Sequence, residues 1–280
     1  MKPYTVTQIN EHVYQIAEVY HKPAALPMYL VVGTRRAALI DTGMGLGCLR
    51  KTVEEITSLP VVVCNTHAHL DHAAGNDEFD RVYMHPEEVQ RARSAANFPI
   101  AGRLEFMELK CMYDPATEEL LQYARANLPE YKGEYPITTV TDGDVIDLGG
   151  IRLEVVEIPG HTTGSIVFVD REDKMAFCGD AVNPRGSIGM WPGAPTVRGY
   201  ADAMERFMAM TTDIERFYVG HRLYYFRRSD LEDILACARE IVAGAPGEPV
   251  ALVLSRETVV RAWIHWHNGK RITYQKECIG

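Results

Sequence analysis

The sequence lacks the features of exported and membrane-anchored proteins. Residues 1–5 do not begin the apolar core of an export signal, and no run of eighteen apolar residues occurs in the 280 residues. The six cysteines are widely separated and include no Cys-x-x-Cys pair. We therefore expect a cytoplasmic protein without a membrane anchor, whose cysteines are free thiols rather than disulfides.

Basic residues are scarce relative to acidic ones. The chain has 29 Lys and Arg residues against 38 Asp and Glu residues, which gives a formal net charge of -9. Proteins that bind nucleic acid present basic surfaces that displace counterions, so nucleic acid is not an expected partner. The composition, 46% hydrophobic and 24% charged, is typical of a globular protein, and the length fits one large α/β domain or two small ones.

One short stretch, residues 66–72, carries an unusual density of metal-binding side chains. It contains His67, His69, Asp71 and His72 within six positions. Imidazole nitrogens and carboxylate oxygens are ligands that zinc and similar cations prefer. The alternative is a polar loop with solvated histidines. The motif follows an apolar run at 61–64 that is typical of a buried strand, so it predicts half of a metal site at a strand's carboxyl end.

The remaining chain alternates predicted strands and helices. Antiparallel strands are predicted over residues 4–17, 29–32 and 37–40, with a proline-bearing loop at 21–27 that could overhang a site and a helix over 46–59. Residues 98–136 show helical but no strand patterns and are predicted to be a helical insertion. Strand patterns resume at 137–178, and Asn268-Gly269 predicts a C-terminal β-hairpin after a linker at 245–249.

Further metal ligands are expected at the ends of other predicted strands. A site with two metal ions needs more donors than the first motif supplies. His161, Asp180 and His221 each follow a predicted strand, and a glycine precedes each of the two histidines, where it allows close backbone packing.

Together these motifs resemble the metallo-β-lactamase superfamily, and in style its glyoxalase II-like hydrolases. The resemblance rests on His-x-His-x-Asp-His at 67–72, Gly-His-Thr at 160–162, Cys-Gly-Asp at 178–180 and Gly-His at 220–221, and also on Asp-Thr-Gly at 41–43. It implies an α/β (α+β) fold, an αββα sandwich, over residues 1–244, with the helical insertion at about 98–136 and a C-terminal extension at 245–280 that bears the hairpin.

The resemblance also implies a ligand assignment. His67, His69 and His161 would hold one divalent ion. Asp71, His72 and His221 would hold the second, and Asp180 would bridge the two. Asp41 would orient a ligand histidine through a hydrogen bond.

The chemistry implied is hydrolysis by a metal-bound hydroxide. Two ions lower the pKa of a shared water and polarise a carbonyl, so that no serine or cysteine nucleophile is needed. We expect zinc, with iron or manganese as alternatives, an ester, thioester or lactone substrate, and Asp71 and Asp180 as catalytic residues. A mononuclear iron oxidoreductase resembling the persulfide dioxygenases is the main alternative, and a nuclease or β-lactamase is less favoured.

Candidate substrate contacts lie next to these motifs. Arg185, Tyr200 and Arg222 could bind an anionic part of a small-molecule substrate, but surface arginines and half-buried tyrosines without such a role are the more common case. The sequence leaves a homodimer open.

Overall fold

A computed structural model describes residues 3–21, 24–96, 100–111, 118–128, 130, 134–190, 193–253 and 258–280. The strands are Tyr4–Gln8 (β1), Val13–His21 (β2), Ala24–Val32 (β3), Ala37–Ile40 (β4), Val61–Cys64 (β5), Val82–Met84 (β6), Ile137–Thr139 (β7), Val145–Asp147 (β8), Arg152–Glu157 (β9), Ile166–Asp170 (β10), Met175–Gly179 (β11), Arg185–Ser187 (β12), Arg216–Val219 (β13), Tyr225–Phe226 (β14), Glu248–Val253 (β15), Val259–His267 (β16) and Lys270–Tyr274 (β17). The α-helices are Leu49–Glu54 (α1), Leu70–Ala73 (α2), Val89–Ala96 (α3), Ile100–Cys111 (α4), Glu118–Asn127 (α5), Val197–Met210 (α6) and Arg228–Val242 (α7). Single 3-10 turns occupy Asn76–Glu78, Pro86–Glu88 and Lys276–Cys278.

These strands form three sheets, and the chain divides into two compact units. The sheets have the strand orders β1-β2-β3-β4-β5-β6-β7, β14-β13-β11-β10-β9-β8 and β12-β17-β16-β15. Residues 1–140, 145–153 and 221–223 form the first unit, and residues 141–144, 154–220 and 224–280 form the second. The mixed α/β class predicted from the sequence is confirmed.

The first unit is built around β5, whose position explains where the histidine motif lies. β5 pairs in parallel with β4 on one side and β6 on the other, and Val62, Val63 and Cys64 are buried. Its continuous apolar run is therefore that of a strand inside a sheet, as predicted. Because β4 and β5 are parallel, with Ile40 opposite Cys64, Asp41 and the histidine motif leave the sheet at the same edge.

Two predicted elements of the first unit need correction. The loop at 21–27 is shorter than expected, because β2 continues to His21 and β3 already begins at Ala24, with Pro27 paired opposite Ala17; residues 22 and 23 lie outside the described residues. The helix over 46–59 is limited to α1, because Leu46 is held by a hydrogen bond to Glu18 and the chain ahead of Pro60 leaves the helical conformation.

The helical insertion is present as α4 and α5. Their buried residues Met107, Leu121 and Ala124 pack in one apolar cluster with Met44 and Leu46, which follow β4. The insertion therefore lies against the loop that leaves the sheet beside the histidine motif.

The second unit has its own core and includes the C-terminal hairpin. Asn268 and Gly269 both have positive φ (43° and 77°), as the predicted Asn-Gly turn requires, and β16 and β17 pair on either side of them. β17 also pairs in parallel with β12, and its Ile272 and Tyr274 are buried in a cluster that contains Cys237 and Ile241 of α7. Residues on both sides of the predicted boundary at 244 thus belong to one compact unit.

Within the described residues, no helix has the length and apolarity needed to cross a bilayer. Five of the six cysteines, which are Cys48, Cys64, Cys178, Cys237 and Cys278, are free thiols as predicted.

Candidate metal centre

In the first unit, Asp41 organises the start of the histidine motif. Its backbone has φ +59°, a conformation that aspartate tolerates better than most residues. Its buried carboxylate accepts hydrogen bonds from the Thr66 amide and the Thr66 hydroxyl, both at 2.8 Å, and faces His72 Nδ1 at 2.8 Å. An ionised carboxylate only accepts, so His72 carries its proton on Nδ1 and directs Nε2 as a lone-pair donor.

The motif itself brings several donor atoms together. His67 Nε2 and His69 Nδ1 are 3.1 Å apart, and the Thr66 hydroxyl lies 3.2 Å from the other nitrogen of the His67 ring. One turn of helix, α2, then carries Asp71 and His72. The motif is thus a turn at the edge of the sheet that brings these side chains close together.

His221 completes a three-residue donor group in the same unit. Ligand atoms of Asp71, His72 and His221 all lie within 4.8 Å of one another, and His221 Nε2 is 3.7 Å from Asp71 Oδ2. His221 has φ +60°, a left-handed conformation that is uncommon for residues other than glycine and that recurs at functional sites. Two imidazoles and a carboxylate are a ligand set that suits zinc or iron, so the residues present fit a divalent ion.

Buried polar residues that sequence reasoning missed support this turn. Glu88, only 2% exposed, accepts a hydrogen bond from the Ala68 amide at 2.9 Å. Asn65 donates to the His72 carbonyl at 3.1 Å and accepts from Asn76 at 2.7 Å. Glu88 and Asn76 lie outside every motif and have acidic neighbours in the sequence, so no sequence signal distinguishes them.

In the second unit, His161 and Asp180 also lie at strand ends. His161 follows β9, and its Nδ1 lies 3.2 Å from the Ser187 carbonyl. Because a carbonyl oxygen only accepts, Nδ1 carries the proton. The other ring nitrogen, Nε2, lies 3.6 Å from Asp180 Oδ2. Asp180 follows β11 and accepts a hydrogen bond from Asn183 Nδ2 at 3.2 Å. Ser187 and Asn183 were not identified from the sequence, because a carbonyl acceptor and a nearby amide have no sequence signature.

The glycines before the two later histidines are required by close packing, as the sequence predicts. A Cβ atom on Gly220 would overlap Asp180 Oδ1, and a Cβ atom on Gly160 would overlap the Tyr200 ring. The Gly220 amide also donates to the Gly179 carbonyl at 2.7 Å. The backbone at 220 therefore fixes the position of the Asp180 carboxylate.

We expect Gly220→Ala to displace Asp180 and to lower metal content and activity at least about tenfold, the scale at which disturbed ligand orientation acts. Elemental analysis of the purified variant and its turnover of the best substrate would measure both. Gly199→Ala is the matched control, because among the described residues its Cβ would meet the Thr196 hydroxyl alone, at 3.4 Å. Full metal content in Gly220→Ala would show that Asp180 is not held by this contact.

The three predicted substrate contacts have different surroundings. Arg185 is exposed on β12, and Arg222 is half-buried with its guanidinium donating to the His221 carbonyl at 2.7 Å. Tyr200 is only 1% exposed, and its hydroxyl donates to the Ala181 carbonyl at 3.0 Å. Tyr200 therefore packs inside the second unit, which argues against a direct contact with substrate.

Cys178 lies two residues before Asp180 but is not placed as a nucleophile. It is fully buried, and burial raises the pKa of its thiol far above the ordinary value. A thiol that does not ionise near neutral pH is a poor nucleophile, so Cys178 serves as an apolar core residue.

Comparison with known proteins identifies the family of this protein. Residues 26–226 match the model of the metallo-beta-lactamase superfamily, and the chain belongs to that family. A metallo-beta-lactamase family protein from Thermus thermophilus superposes with a TM-score of 0.60 at 22% identity, covering 86% of this chain and 85% of that one. A metallo-beta-lactamase from Pontibacter korlensis gives a TM-score of 0.58 at 19% identity, covering 84% and 99%. The predicted family and its fold are thus confirmed.

Two curated relatives are named as an acyl-coenzyme A thioesterase and a hydroxyacylglutathione hydrolase. The human protein called acyl-coenzyme A thioesterase MBLAC2 is 28% identical over 233 residues, which cover 78% of this chain and 81% of that protein. The hydroxyacylglutathione hydrolase GloC of Haemophilus influenzae is 26% identical over 155 residues, which cover 55% and 65%. These relatives support the hydrolase class over the oxidoreductase alternative.

Proposed function

We propose that this protein is a metal-dependent hydrolase that cleaves acyl thioesters. The observation that carries the proposal is the donor group of Asp71, His72 and His221, whose ligand atoms lie within 4.8 Å of one another. The imidazole of His72 in this group is oriented by the Asp41 carboxylate. The two thioester-cleaving relatives support the choice of substrate class among esters, thioesters and lactones.

The proposed ligands follow the family resemblance. His67, His69 and His161 would hold one divalent ion, Asp71, His72 and His221 would hold a second, and Asp180 would be a ligand to both. Bound zinc ions would lower the pKa of a coordinated water and polarise the substrate carbonyl. Iron and manganese are the alternatives to zinc, because the same ligands accept them.

The residues of the chain orient this chemistry. Asp41 and the Ser187 carbonyl each accept from the Nδ1 of an imidazole, which leaves Nε2 of His72 and of His161 as the donor atom. Asp71 and Asp180 are the proposed catalytic residues, because a carboxylate beside the metal ions would accept a hydrogen bond from a water and orient it for attack. Arg185 and Arg222 are the proposed contacts to an anionic part of the substrate.

Metal analysis combined with a substrate panel tests this proposal. We expect the purified protein to hydrolyse acyl-coenzyme A or hydroxyacylglutathione with a kcat/KM at least about tenfold above that for an aryl ester, a lactone, a β-lactam and a phosphodiester. Chelation should abolish the activity, and zinc should restore it. One iron per chain together with oxygen uptake on glutathione persulfide would contradict the hydrolase and support the oxidoreductase alternative.

A further inference from the structure

The C-terminal hairpin carries a row of three side chains that the family's motifs do not include. In the third sheet, Arg185 of β12 lies directly opposite Arg271 of β17, and Arg271 lies opposite Trp266 of β16. Directly opposed residues project from the same face of a sheet. The row crosses three strands and therefore spans roughly 10 Å.

This row lies on the side of the sheet that does not pack on α7. Side chains alternate along a strand, and His265 and Ile272, the neighbours of Trp266 and Arg271, contact α7 through Glu240 and the core. Trp266 is 45% exposed, and the Arg271 guanidinium lies 5.6 Å from the centre of its ring. The row thus presents two cations and an aromatic ring away from the core.

The two arginines lack a carboxylate to balance them. Among the residues that the structure describes, no carboxylate pairs with the guanidinium of Arg185 or Arg271, and Nε of Arg271 is buried without a hydrogen-bond partner. Burial and the neighbouring charge of Arg185 lower the pKa of Arg271. By contrast, Lys270 on the same strand pairs with Asp230 at 2.6 Å. Like charges directly opposite each other in a sheet repel. An anion bound between the two arginines would attract both of them and so offset this repulsion.

The charge of the hairpin differs from that of the whole chain. Residues 258–280 contain four basic side chains and one acidic side chain, whereas the full chain has a formal net charge of -9. Two of the basic side chains of this sheet, Arg185 and Arg271, project from one face opposite each other, so an anion is favoured at that face.

Two hydrogen bonds connect the row to the proposed ligands of the second unit. Asn183 accepts from the Arg185 amide at 3.0 Å and donates to Asp180 at 3.2 Å. Two residues after Arg185, the Ser187 carbonyl lies 3.2 Å from His161 Nδ1. An anion held at this row would therefore lie beside the end of the second unit that carries His161 and Asp180.

We infer that Arg185, Arg271 and Trp266 bind the phosphorylated nucleotide part of a thiol carrier, so that the substrate is a thioester of a nucleotide-bearing thiol. Guanidinium groups bind phosphate through paired hydrogen bonds, and an exposed indole stacks on a base. A tripeptide thiol supplies carboxylates but no aromatic ring, so it would leave Trp266 unused. This inference rests on the proposed thioester hydrolysis and names the carrier.

Steady-state kinetics on two substrates with the same acyl group tests the inference. One substrate is the coenzyme A thioester, and the other is the thioester of N-acetylcysteamine, which has no nucleotide. We expect Arg271→Gln and Trp266→Ala each to raise KM for the coenzyme A thioester roughly tenfold, with kcat changed less than about twofold. Both variants should leave the short thioester unaffected, since a loss confined to one substrate excludes misfolding.

Arg261→Gln is the matched control. Arg261 is an exposed arginine of the same hairpin that lies 5.2 Å from the Trp263 ring, yet it is not opposite Arg185. KM for the coenzyme A thioester should be unchanged in this variant. An equal rise in KM in Arg261→Gln and Arg271→Gln would overturn the inference, because it would show general electrostatic attraction instead of a defined subsite.

Direct binding separates failure of this inference from failure of the proposed function. We expect adenosine 3′,5′-bisphosphate to bind the metal-loaded protein in a calorimetric titration, with affinity reduced roughly tenfold or more in Arg271→Gln. Binding without hydrolysis of any thioester would contradict the proposed function and leave the subsite standing. Thioester hydrolysis with no nucleotide binding and an unchanged KM in Arg271→Gln would reject the subsite alone.

Discussion

Replacing Asp180 with alanine should remove both the bound metal and the hydrolysis of thioesters. Asp180 is the proposed bridging ligand, and it is held in one position by Asn183 and by the close backbone of Gly220. Loss of a residue that merely orients a ligand costs roughly 10- to 100-fold in metal affinity or activity, so loss of a bridging ligand should cost at least about 100-fold.

Metal content by elemental analysis and kcat/KM on the best thioester would measure this effect. Asp202→Ala is a suitable control, because Asp202 is an exposed carboxylate on α6 of the same unit. Wild-type metal content in Asp180→Ala would contradict the bridging assignment, whatever its activity.

We expect Asp41→Asn to weaken metal binding roughly 10- to 100-fold although Asp41 touches no metal. The asparagine keeps the shape and tolerates the positive φ of this position. Its amide, however, has one acceptor and one donor group where the carboxylate has two acceptors. If the NH2 group faces His72 Nδ1, that nitrogen must accept and the proton moves to Nε2, which then cannot bind metal. If the NH2 group faces the Thr66 amide, two donors oppose each other.

The same substitution should lower the free energy of unfolding by about 2 kcal/mol, the usual contribution of a hydrogen bond to a buried charge. Metal titration and denaturant unfolding of the metal-free protein would separate the two effects. Asp80→Asn is the control, because Asp80 is exposed and pairs with Arg50 at 2.6 Å. Unchanged metal affinity in Asp41→Asn would show that His72 does not depend on this carboxylate for its orientation.

The sequence predicted those parts of the site that are local in the chain. β5 lies inside a parallel sheet and is uniformly apolar, and the ligand motif follows it directly. Both the strand and the position of the motif at its end could therefore be predicted from one short stretch of sequence. The Asn-Gly turn of the hairpin was visible for the same reason, since the required positive φ is a property of those two residues.

Contacts between distant parts of the chain could not be predicted. The carboxylate of Glu78 accepts from the amides of Leu49 and Arg50 and so fixes the start of α1 from 28 or more residues away. Glu18, which is fully buried, holds the amides of Met44 and Leu46 in the same way, so this segment is not helical despite its periodicity. The pairing of Arg185 with Arg271 across 86 residues is likewise a matter of strand order, which periodicity does not specify.

The C-terminal hairpin is an integral part of the second unit and not an appendage to it. The family match ends at residue 226, yet Ile272 and Tyr274 complete the core around α7, and β17 supplies the neighbour that β12 pairs with. The end of the family match and the end of the compact unit are therefore different positions in the chain. For protein engineering, the useful unit of exchange between relatives is the hairpin together with β12 and α7, since a graft that took the hairpin alone would leave both of its packing partners behind.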